Sequence, residues 1–158
     1  MHTPAPRATE LHVRRVIYPG ACERISAVRA DLRQLLDGCP MTDDVILCAS
    51  ELAANAAVHS RSGLPGGTFT VCVKISPGHY TWIAVEDNGG PWNPLASDPL
   101  RPHGLEIVRA LASEWGIDGD DNRRTIWAKF NWPGDSQRPQ RLSSFLTPCD
   151  HHKDDQRE

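Results

Sequence analysis

Glu51, Asn55 and His59 are spaced by four residues in a run whose apolar positions recur at helical intervals. Each step of four advances about 40° around a helix, so the three climb one face within about 80°. Val45, Cys48, Ala49, Leu52 and Ala56 form an apolar stripe beside them. A carboxylate, an amide and an imidazole on the margin of a buried face can point into a cleft. A solvated polar face has the same spacing, and alanines at 53, 54, 56 and 57 suit close helix packing as well as a ligand. Asp87 ends an alternating run in which Ile83 and Val85 share its face. If those two point inward, so does the carboxylate, and a buried charge needs a partner. Gly89 and Gly90 follow and admit backbone or ligand closely, although Asp-Asn-Gly-Gly is also ordinary turn chemistry. His103-Gly104-Leu105 opens a helix after a proline-rich loop. Free N–H groups and a positive dipole end there suit an anion, a feature many helices share.

These residues need elements to hold them. His12 to Tyr18 alternates loosely and predicts an edge strand, broken by Pro19-Gly20. Ile25, Val28, Leu32, Leu35 and Leu36 predict a helix over Cys22 to Asp37, ended by Gly38 and Pro40. A second helix begins with Thr42 as N-cap, has Asp43 and Asp44 at its positive end, and runs to about Ser60. Phe69, Val71, Val73 and Ile75 alternate with Thr70, Cys72 and Lys74 as in a half-buried strand. Ser76-Pro77-Gly78-His79 turns the chain into a return strand, Tyr80 to Asp87. Asn88 to Pro102 reads as a long loop of the kind that forms lids. A third helix carries Leu105, Val108, Leu111 and Ala112 on one side. Trp115 to Ile117 and Thr125 to Phe130 predict a final hairpin. The architecture expected is α+β: a two-layer sandwich, with a mostly antiparallel sheet and three helices on one face. Residues 1–10 and 133–158 are expected to be disordered ends, and 11–132 one folded domain.

The chain has 158 residues, 39% hydrophobic and 23% charged, with a formal net charge of -3. There is no basic excess to hold a phosphate backbone, so direct nucleic-acid binding is disfavoured. No apolar run reaches the ~20 residues that cross a bilayer, and the polar first ten residues lack a signal peptide's apolar core. A cytoplasmic protein is expected. The five cysteines, at 22, 39, 48, 72 and 149, include no C-x-x-C pair and read as small buried hydrophobes. Cys149 with His151 and His152 amounts at most to a stray metal-binding tail.

Taken in order, these motifs resemble those of the GHKL ATPase superfamily, and within it the small anti-sigma factor serine/threonine kinases of the actinomycete type. Ala49-Ser-Glu-Leu-Ala-Ala-Asn-Ala-Ala-Val-His59 is similar to their asparagine box. Val85-Glu-Asp-Asn-Gly-Gly90 and Gly104-Leu-Glu-Ile-Val108 resemble their two glycine boxes, and Thr125-Ile-Trp-Ala128 their closing strand. The resemblance spans roughly Leu11 to Trp132 and implies a Bergerat-type fold binding ATP and Mg²⁺. It implies Glu51 as general base, Asn55 as magnesium ligand, Asp87 as acceptor for the adenine amino group and Gly89 beneath the base. Gly104 would lie near the phosphates and Thr125 near the adenine. Gly90, His103 and Leu105 belong to the same boxes, and His59 is a frequent box residue. Implied partners are a sigma factor or an anti-sigma-factor antagonist; a homodimer is open to it. The chain departs from the pattern at Pro91 and Pro102, where the boxes usually carry glycine, and proline has no N–H to donate. Two readings follow: a kinase phosphorylating a serine or threonine of an antagonist protein, or a catalytically weak module that sequesters a partner. A sensor histidine kinase is disfavoured, for want of a phospho-acceptor dimerisation helix.

Overall fold

The computed structural model describes residues 10–91 and 104–134. In chain order they form β1 (His12–Pro19), a 3-10 turn (Cys22–Arg24), α1 (Ile25–Leu35), α2 (Thr42–His59) and a second 3-10 turn (Arg61–Gly63). Then come β2 (Thr68–Ser76), β3 (Tyr80–Asp87), α3 (Gly104–Leu111), β4 (Glu114–Gly119) and β5 (Arg124–Asn131). The five strands make one antiparallel sheet in the order β1-β2-β3-β5-β4. The final hairpin therefore enters with β5 inside, against β3, and β4 at the edge. This is the α+β sandwich expected.

The strands' alternation sorts the sheet into two faces. Val71, Val73, Ile83, Val85, Ile126, Ala128 and Phe130 join Val28, Leu32, Val45, Cys48, Leu52 and Val108 of the helices in the main core. The other face carries its own apolar cluster of Cys72, Tyr80, Trp82 and Ala84, with Trp127 against it. The ammonium of Lys74 lies 4.7 Å from the Trp82 ring centroid, and that of Lys129 lies 4.9 Å from Tyr80. The half-buried pattern expected of β2 thus becomes burial on both faces: Thr70, Cys72 and Lys74 are all buried. Large rings and lysine stems cover one another there, so polar residues in the alternation did not mean solvent.

Three local expectations are corrected. The first helix opens as a 3-10 turn and becomes α-helical only at Ile25. Thr42 is the first residue of α2 and not its cap. That position falls to Met41 at φ 63°, and the Thr42 hydroxyl donates to the Cys39 carbonyl (2.7 Å), tying α2 to the turn after α1. Among the described cysteines, Cys48 and Cys72 are buried but Cys22 is exposed. Burial pushes the Cys48 thiol up to about 12, with Asp44 and Glu51 adding to the rise, so it is an inert core group. The expected disordered ends, apart from Glu10, Pro133 and Gly134, and the proline-rich loop beyond Pro91 lie outside the described residues, as does the Cys149 cluster.

Candidate functional site

α2 packs over β3 and beside α3. Its buried stripe, Val45, Cys48, Ala49, Leu52, Ala53 and Ala56, faces the sheet. Glu51, Asn55 and His59 are each half-buried on the margin of that stripe. The Asn55 amide nitrogen is buried without a hydrogen-bond partner. An orphaned buried donor costs about 1–3 kcal/mol, a cost that no hydrogen bond among the described residues offsets at this nitrogen.

Asp87 lies on the helix-facing side of β3 with Ile83 and Val85 and is only 4% exposed. One carboxylate oxygen accepts the Gly89 N–H at 2.7 Å, and the other lies 3.6 Å from Arg124 Nε. Burial pushes its pKa up, while the Gly89 N–H and the Arg124 guanidinium hold it back. The carboxylate therefore serves both as a turn cap and as one half of a buried ion pair.

The loop after Asp87 is fixed from two sides. The Asn88 N–H donates to the fully buried Ser62 hydroxyl (2.9 Å), and the Arg61 N–H donates to the Gly89 carbonyl (2.8 Å). From the β4–β5 turn, the Asp121 carbonyl accepts both the Gly90 N–H and Arg61 Nη1, each at 2.9 Å. Gly89 has φ +69°, and a Cβ there would lie 2.1 Å from the Asp121 carbonyl oxygen. This glycine is required by the packing of two turns, a reason independent of any ligand.

The remaining predicted residues separate. Gly104 opens α3, and Leu105 packs against the main core; His103 lies outside the described residues. Thr125 does not join Asp87. The register pairs it with Glu86, whose carboxylate is bound by Arg123 and lies 3.6 Å from Arg15. One residue earlier, Arg124 stands directly opposite Asp87. Arg124 and Ser62 are the site residues that sequence reasoning missed. The β3–β5 register would have found Arg124, but pairing two strands 36 residues apart is not readable from alternation. Ser62 sits in a Ser-Gly segment that reads as loop, and only its burial marks it.

A cleft of about 450 Å³ lies elsewhere, between β1–β2 and α1, lined by Arg14, Val16, Asp31, Leu32, Leu35 and Val73. None of the predicted site residues lines it. No helix among the described residues is long and apolar enough to cross a membrane.

The family model of the histidine kinase-like ATPase domain matches residues 18–130. No curated protein matches. Among solved structures, the RsbU and RsbW domains of Rv1364c from Mycobacterium tuberculosis are similar, with a TM-score of 0.59 and 20% sequence identity. The match covers 77% of this chain and 32% of that one, a likeness of fold. With 113 of its residues inside the family match, the chain belongs to the histidine kinase-like ATPase domain family.

Proposed function

We propose that the chain binds ATP between α2, the end of β3 and the start of α3, and regulates a partner protein by phosphorylating one of its serines or threonines. The partner class is an anti-sigma-factor antagonist, with a sigma factor as the second protein held. The observation that carries the reading is the unpartnered, buried amide nitrogen of Asn55, one helical turn from Glu51 and across the helix–sheet interface from the buried Asp87 strand. A family of ATPase domains supplies a use for each.

Asp87 would accept a hydrogen bond from the adenine amino group, and Gly104 at the start of α3 would offer its N–H to phosphate. The Asn55 amide oxygen suits a hard cation. No group of three or more His, Cys, Asp or Glu among the described residues could hold a metal ion. Asn55 is the residue that would hold magnesium, and the ion would supply charge neutralisation at phosphate. Glu51 would take the proton of the attacking hydroxyl and lower the barrier by the usual scale of base assistance.

The test is incubation of the purified protein with labelled ATP, Mg²⁺ and a candidate antagonist. Phosphate should appear on the antagonist, and Glu51→Gln should slow transfer by about 10²–10⁴-fold while leaving ATP binding intact. Transfer at the native rate by Glu51→Gln would remove Glu51 as base. The second reading, a module that binds without catalysis, is favoured by Pro91, which has no N–H for a phosphate oxygen. It gains if ATP binds and no antagonist is labelled.

A further inference from the structure

Asp87 and Arg124 are cross-strand partners on the helix-facing side of the sheet. They are 4% and 7% exposed, and Asp87 Oδ2 lies 3.6 Å from Arg124 Nε. Asp87 Oδ1 is engaged by the Gly89 N–H at 2.7 Å. Oδ2 thus lies next to a guanidinium, an acceptor beside a donor. A guanidinium carries five N–H donors in a planar fork, enough to hold a carboxylate and reach a ligand together. A 6-aminopurine presents the complementary pair, the amino group as donor and ring nitrogen N1 as acceptor. Guanine presents two adjacent donors, N1–H and the 2-amino group, which call for both carboxylate oxygens.

Resting on the nucleotide reading above, we infer that Arg124 is a specificity-determining residue that donates to purine N1 while Asp87 accepts from the 6-amino group. Burial opposes the charged form of Asp87, and the neighbouring guanidinium opposes that effect. The same residue thus favours the ionised form of the acceptor and supplies the donor beside it. Thr125, which the motif order suggested for this place, is turned to the other face by one step of strand alternation.

The experiment is calorimetric titration of the full chain with ATP and with 1-deaza-ATP, which keeps the amino group and has C–H in place of N1. The native protein should bind 1-deaza-ATP about 10- to 100-fold more weakly, the scale of a hydrogen bond from a charged donor. Arg124→Met should weaken ATP by a similar factor and bind the two nucleotides equally. The native comparison needs no variant, so misfolding of Arg124→Met leaves the inference testable. Equal affinity of the native protein for ATP and 1-deaza-ATP would overturn it, leaving Arg124 as a counter-ion only and the nucleotide reading intact. Failure of the native protein to bind either would overturn the nucleotide reading itself, and this inference with it.

Discussion

Replacing Gly89 by alanine should damage the fold more than the same change at Gly66, by an amount the structure sets. Both glycines have positive φ, +69° and +78°, but a Cβ at Gly66 would meet nothing within 4 Å. Gly66→Ala therefore isolates the backbone strain, about 1–2 kcal/mol. Gly89→Ala adds a Cβ 2.1 Å from the Asp121 carbonyl oxygen, so the β4–β5 turn must move. That carbonyl accepts the Gly90 N–H and Arg61 Nη1. Losing two such bonds costs about 1–3 kcal/mol, for a sum of about 2–5 kcal/mol. Urea unfolding followed by tryptophan fluorescence reads the difference directly. A urea m-value of about 1–3 kcal/mol per molar puts the Gly89→Ala midpoint about 1 M below that of Gly66→Ala. In the protein that stays folded, ATP affinity should also fall, because the Gly89 N–H orients Asp87. If the two variants unfold within about 0.5 kcal/mol of each other, the usual scatter of surface changes, the turn-to-turn contact does not hold this loop.

Asp87 titrates above an ordinary aspartate because burial disfavours its charge. ATP affinity should fall on acidification before ordinary carboxylates protonate, and an affinity constant through that range would refute the acceptor role. For stability the sign is opposite: with the folded pKa above the unfolded one, Asp87's contribution is present below the unfolded pKa and lost as pH rises through the folded one. It opposes folding at neutral pH. Leu52→Ala, on the sheet-facing side of α2 at 1% exposure, should cost about 2–5 kcal/mol in a denaturant titration; a loss under 1 would mean the α2–sheet contact is loose. We propose 11–132 as the folded unit. On that proposal residues 133–158, which carry few apolar side chains, lie outside the folded unit. Deleting that segment should leave melting temperature and ATP binding unchanged, and a drop of several degrees would show that Leu142, Phe145 and Leu146 dock on the domain.

The element order was legible because the apolar periods are clean: Val28 and Leu32 in α1, the alternation of β2 and β3, and the turn at Pro77-Gly78. The inward direction of Asp87 followed from Ile83 and Val85 by the same rule. What alternation cannot supply is which residue of one strand opposes which residue of another. Thr125 was placed near the base by motif order, yet on a strand a shift of one position exchanges the two faces. The register sets Arg124 opposite Asp87 and Thr125 opposite Glu86. Gly89 carries the complementary lesson. Its place beside Asp87 suggested room for a base, but Asp121 stands where its Cβ would be. A glycine in a binding motif can thus be demanded by the scaffold. Function must then be argued from groups the scaffold leaves unexplained, and the unpartnered amide of Asn55 is one of them.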